Sequence, residues 1–163
     1  MSEEDQGVAS LSKLLEGALE KESDDPLANG ILNEMSDSRF MDSLSRPSTA
    51  VIEFYTATCP YCKQLAPILD ELASDYRSKV YFGKVNIDKI EAAVESFEVV
   101  GVPLVIAFKK GHPVAKMEGL RSRDEIDDWV DSIHKGFRPM NLESGAVTRI
   151  TLSDLAGGSR GSI

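Results

Sequence analysis

The sequence predicts an α/β fold, a central mixed β-sheet flanked by helices on both faces, with an extension at each end. Three observations predict it. Two apolar strand patterns, Ala50 to Tyr55 and Val80 to Ile87, are separated by one long helical pattern, and such a crossover favours parallel neighbours. Two later strand patterns are joined by Lys109-Lys110-Gly111-His112, the composition of a hairpin turn, and a hairpin is antiparallel. The chain has 163 residues, the size of one domain plus extensions.

In order along the chain, Val8, Leu11, Leu15, Ala18 and Leu19 share one helical face with Leu14 beside them, flanked by Glu16, Glu20 and Glu22. They predict a short amphipathic helix in an acidic N-terminal extension, residues 1–35. Asp24-Asp25-Pro26 ends it, because the residue before proline is pushed out of the helical region. Ile31, Leu32, Met35, Phe40, Met41 and Leu44 are spaced for one or two short helices. After a turn at Arg46-Pro47-Ser48 comes the strand Ala50-Val51-Ile52-Glu53-Phe54-Tyr55, apolar and aromatic except for one carboxylate.

Leu65, Leu69, Leu72 and Tyr76 follow a 3.6-residue period and predict a helix that Pro67 should bend by removing one hydrogen bond. Asp88, with Glu91 three residues on, predicts the cap of a short helix carrying Ile90, Val94 and Phe97. A loop from Val99 to Pro103 leads into the continuous apolar strand Leu104 to Phe108. The hairpin then returns as Val114 to Met117, which Gly119 breaks. Ser122 and Glu125 form a capping box for a last helix with Ile126, Trp129, Val130 and Ile133 on its apolar face. The domain so delimited is 36–138. Residues 139–163 are rich in Ser and Gly and are expected to be a flexible tail, with Val147, Ile150, Leu152 and Leu155 as a candidate partner-binding segment within it.

A net charge of -9 and the lack of any basic patch argue against nucleic acid and anionic membrane as partners. Met1-Ser2-Glu3-Glu4-Asp5 has the wrong charge for the start of a signal peptide, and no apolar run approaches the roughly 20 residues a bilayer requires. A cytoplasmic protein is expected. The only two cysteines, Cys59 and Cys62, stand where a strand turns into a helix. Two cysteines in a reducing compartment read as a working dithiol rather than a structural staple. Zinc uses the same spacing but wants four ligands, and only His112 and His134 could complete the set; no metal is expected.

These patches together resemble a thioredoxin over roughly Ser36 to Lys135. The resemblance rests on Val51-Ile52-Glu53-Phe54-Tyr55, Cys59-Pro60-Tyr61-Cys62-Lys63 with Ala66-Pro67, Lys84-Val85-Asn86-Ile87-Asp88, Gly101-Val102-Pro103 and the Lys110-Gly111 hairpin. It implies a thioredoxin fold, and a cis Pro103 lying across from the cysteines, where it shapes the substrate groove. The sequence departs from the family in places. Tyr55 and Thr58 stand where tryptophans are usual, Glu53 replaces an aspartate, and Cys-Pro-Tyr-Cys is the form typical of dithiol glutaredoxins. The family's first strand is not obvious between Leu27 and Asp37.

A thiolate attacks disulfides and a thiol does not, and helix N-termini favour the thiolate through unpaired N–H groups and the helix dipole. Cys59, which precedes the helix, is therefore the expected nucleophile and the more exposed of the pair. Cys62, one turn in, is the expected resolving thiol, with Glu53 as its proton acceptor and donor. The resemblance adds Lys84 as the cation that tunes Glu53, and Pro60, Tyr61, Val102 and Pro103 as the substrate-binding surface. It implies a monomeric protein-disulfide reductase without a cofactor, recharged by thioredoxin reductase and acting on disulfide-containing proteins. Two alternatives stay open: a glutaredoxin-like enzyme reduced by glutathione or another small thiol, and a redox-gated partner-binding protein.

Overall fold

The computed structural model describes residues 24–35, 40–137, 139–143 and 145–150. The predicted helix from Val8 to Leu19 lies outside them. The element order is β1 (Leu32–Glu34), α1 (Phe40–Leu44), β2 (Thr49–Tyr55), α2 (Pro60–Asp75), β3 (Tyr81–Asn86), α3 (Glu91–Phe97), β4 (Gly101–Val102), β5 (Leu104–Lys109), β6 (His112–Glu118), α4 (Arg123–His134) and β7 (Thr148–Arg149). Five strands form one sheet in the order β1-β3-β2-β5-β6. The pairs β1/β3 and β3/β2 are parallel; β2/β5 and β5/β6 are antiparallel.

Side-chain alternation divides the core between the two faces of this sheet. Ile52, Phe54, Val85, Leu104, Ile106 and Phe108 join Leu44 of α1 and Ala93 of α3 in one cluster. Val51, Phe82, Val105, Ala107 and Met117 join Leu65, Leu69 and Leu72 of α2 and Ile126, Trp129, Val130 and Ile133 of α4 in the other. Full burial of such side chains stabilises by about 1.5–3 kcal/mol each. Both helical stripes read from the sequence are thus the buried ones, while Pro67 lies on the exposed face of α2.

The hairpin turn is made by Lys110 and Gly111, both at positive φ (51° and 84°), the pairing that matches the twist of two antiparallel strands. Pro113 is accommodated because β6 takes the outer position of the main sheet, where a missing N–H leaves no ladder broken on its free side. Ser122 caps α4, its Oγ accepting the Glu125 N–H at 3.2 Å.

Three expectations are corrected. Leu32 belongs to a short strand rather than a helix: β1 pairs Leu32, Asn33 and Glu34 with Phe82, Gly83 and Lys84, ahead of the expected domain start at residue 36. Buried Asp25 anchors the chain just before it, accepting the N–H groups of Leu27 (2.9 Å) and Ser48 (2.8 Å). Asp88 does not cap α3; Asn86 Oδ1 takes the Asp88 N–H at 3.0 Å, and the helix begins beyond this turn with Ile90 as N-cap. The loop before Pro103 contains β4, and its partner is β7 from the C-terminal segment. That segment follows the rim of the sheet: Leu142 donates to Lys116 O (3.0 Å) and accepts from Glu118 N (2.7 Å), and Ala146 O accepts from Leu120 N (3.0 Å).

Candidate functional site

The site assembles where β2 ends and α2 begins. Cys59 is the N-cap of α2, with extended backbone angles, and its Sγ accepts the Cys62 N–H at 3.2 Å. The helix thus directs one of its unpaired amides at the sulfur, an acceptor that strengthens when the sulfur is negative. Pro60 occupies the first helical position, where its missing N–H costs nothing and its φ suits the turn. Cys59 Sγ also lies 3.6 Å from the Val102 carbonyl, and the Val102–Pro103 peptide is cis. Both cysteines are free thiols.

Cys59 is not the exposed member of the pair. It is 0 % exposed against 3 % for Cys62, with the Val102 carbonyl against its Sγ and Ile150 packed on the same apolar cluster. Cys62 is held protonated: burial pushes its thiol far up, hydrogen bonding to Cys59 adds to this, and a backbone hydrogen bond involving Thr56 pulls the other way.

Glu53 is 1 % exposed, and neither carboxylate oxygen has a hydrogen-bond partner among the described residues. Burial pushes its carboxyl up to about 8; Lys84 pulls it down and Glu34 pushes it up. The three stand in register across adjacent strands, Glu34 and Glu53 each opposite Lys84. Lys84 Nζ lies 5.2 Å from the centre of the Tyr55 ring, and the Tyr55 hydroxyl donates to Glu34 Oε1. The Glu53 charge also reaches Cys62, raising its thiol further. A carboxyl that exchanges its proton at about pH 8 therefore stands in electrostatic contact with a buried, protonated thiol.

Of the sequence-predicted residues, Cys59, Cys62, Glu53, Lys84, Val102 and Pro103 converge here, with Pro60 exposed and Tyr61 half-buried at the mouth. His134 does not; it meets the ring of Tyr76 at the far end of α2, roughly 24 Å of helix away. His112 lies in the hairpin, opposite Lys109. Glu34 and Tyr55 were missed as a pair because a three-residue strand is too short for its alternation to register. Val147 and Ile150 were singled out as a candidate partner-binding segment, but their place against β4 of the same chain was not legible because so few apolar residues carry no periodicity.

Among the described residues no helix is long and apolar enough to cross a membrane. The family model for thioredoxin matches residues 31–132. A thioredoxin of Staphylococcus saprophyticus is 32 % identical over 98 residues, 60 % of this chain and 93 % of the relative; one of Staphylococcus aureus is 32 % identical over 90 residues, 55 % of this chain and 86 % of the relative. The solved structure of a thioredoxin point mutant from Halobacterium salinarum superposes with a TM-score of 0.55 at 26 % identity, covering 62 % of this chain and 88 % of that one. A family match over more than half of the sequence, on a sheet of the same architecture with a free dithiol at the start of α2, leads to one conclusion: the chain belongs to the thioredoxin family and is a thiol–disulfide oxidoreductase that reduces protein disulfides.

Proposed function

We propose that Cys59 attacks, Cys62 resolves and Glu53 carries the proton. The Cys59 thiolate attacks one sulfur of a substrate disulfide; the S–S bond breaks, and the departing thiolate takes up a proton. The Cys62 thiol then gives its proton to the Glu53 carboxylate and attacks Cys59 Sγ, releasing the second substrate thiolate, which Glu53 protonates. Two electrons pass to the substrate, and the chain is left with a Cys59–Cys62 disulfide. Lys84 keeps Glu53 partly ionised, and Pro60, Tyr61, Val102 and Pro103 form the surface that receives the substrate.

The observation that carries this reading is the unpartnered, buried Glu53 carboxyl, poised near 8 and acting on a Cys62 thiol pushed far up. Cytoplasmic disulfide proteins are the substrates, and a flavin-dependent thioredoxin reductase is the electron donor. The Pro60-Tyr61 dipeptide, of the dithiol-glutaredoxin type, sets the potential within the thioredoxin fold.

The test is stopped-flow reduction of insulin disulfides. Cys59→Ser should abolish it, and Cys62→Ser should accumulate the mixed disulfide. Glu53→Gln should slow resolution and remove its rise toward pH 8; full activity of either cysteine variant, or an unchanged pH profile in Glu53→Gln, refutes the scheme. Recycling by glutathione, and not by thioredoxin reductase with NADPH, would overturn the donor assignment.

A further inference from the structure

The backbone beside the dithiol already carries a strand. Gly101 pairs with Arg149 and Val102 with Thr148, antiparallel, and the Ile150 N–H donates to Val100 O at 3.0 Å. Val102 is the residue whose carbonyl lies 3.6 Å from Cys59 Sγ. Ile150 packs against the cluster that contains Cys59, Cys62 and Val102, and Thr148, Arg149 and Ile150 wall a cavity of about 40 Å³ shared with Thr56, Thr58 and Asp88. Cys59 is 0 % exposed, and the backbone its Sγ touches, Val102, is the one that already carries a strand of its own chain.

The path of that strand is built into the fold. At Gly119 and Gly145 the two backbones cross so closely that a Cβ on Gly145 would overlap the Glu118 carbonyl oxygen. Asn141 Oδ1 accepts the Lys116 N–H at 3.0 Å, and Arg121 donates to Glu143 O. On Gly101 a Cβ would lie 3.3 Å from Val147 Cγ2, tighter than ordinary contact, so glycine here eases the close approach of the segment. The final stretch is held lightly: β7 is two residues long, Thr148 and Arg149 are exposed, and a cavity of about 340 Å³ remains between Val147 and the side chains of Phe97, Val100 and Leu104. The family match ends at residue 132, so this segment lies beyond the matched part.

We propose that Val147–Ile150 is an autoinhibitory strand of this chain: it occupies the β4 backbone beside Cys59 on which substrate has to lie. The proposal rests on the Cys59 assignment. A substrate segment must displace the occupant, pair with the same backbone and place a β-branched or apolar residue where Ile150 sits. The occupied form lowers the apparent affinity for substrate by the fraction of molecules in which the edge is open.

Two variants release the strand without touching the dithiol machinery. Ile150→Pro removes the N–H given to Val100 O, and Gly145→Val blocks the crossing at Glu118. In a Cys62→Ser background, where Cys59 is the only thiol, each should speed alkylation of Cys59 by iodoacetamide about fivefold or more; with both cysteines present, each should lower KM for insulin with kcat little changed. Hydrogen exchange at Val102 verifies that the strand has left, and urea midpoints verify folding; if one variant fails to fold, the other decides. A released strand with unchanged alkylation and unchanged KM overturns the proposal. Alkylation needs no turnover, so its rate decides the role of the segment even if the unmodified chain reduced no insulin, a result that would count against the Cys59 assignment instead.

Discussion

Replacing Glu53 by Gln should stabilise the protein at neutral pH while slowing it, and the gain should grow with pH. In the folded state Glu53 stays protonated until about pH 8, whereas an unfolded chain releases that proton near 4.5. Below 4.5 both states hold the proton and no stability is lost. Between the two values the unfolded state is favoured by about 1.4 kcal/mol per pH unit. The accumulated loss is about 3 kcal/mol at pH 7 and levels off at about 5 kcal/mol above pH 8. Glutamine has the shape of the protonated acid and no charge to desolvate, so Glu53→Gln removes this loss. Its amide finds no more partners than the carboxyl had, but that cost does not vary with pH and drops out of the slope. The assay is the urea midpoint of both proteins, reduced, at pH 5, 6, 7 and 8, where other titrating groups cancel between variants. A stability difference that stays flat across this range would refute the argument that burial holds the proton on Glu53.

Two further outcomes follow from the same contacts. Lys84→Met removes the charge that pulls the Glu53 carboxyl down, so the pH midpoint of resolution should move upward; a stopped-flow pH profile of mixed-disulfide release reads it, and a downward shift contradicts the tuning role. Ser122→Ala deletes the side-chain acceptor of the Glu125 N–H and should cost about 1 kcal/mol in urea without altering insulin reduction.

Most of the fold was legible because local patterns and long-range contacts agree in it. Leu65, Leu69 and Leu72, and likewise Ile126, Trp129, Val130 and Ile133, repeat at helical spacing because one stripe of each helix meets the sheet. The Lys110-Gly111 turn was legible because its backbone needs positive φ. Leu32–Glu34 was not, since three residues cannot display a period, and its strand character comes from the backbone of Phe82 to Lys84 alongside. Asp88 misled because a capping pattern is also a turn pattern, and Asn86 claimed the amide first.

The α/β class, the dithiol at a strand–helix junction and the odd carboxylate within an apolar strand could all be read from the chain before it folds. Each is a local property of neighbouring residues. Folding adds that Glu53 has no hydrogen-bond partner among the described residues and answers to both Lys84 and Glu34, because those groups meet across strands distant in sequence. It alone decided that residues 147–150 lie on the edge beside Cys59. Backbone pairing of that kind depends on the N–H and C=O groups that every residue but proline carries, so it leaves no signature in side-chain composition.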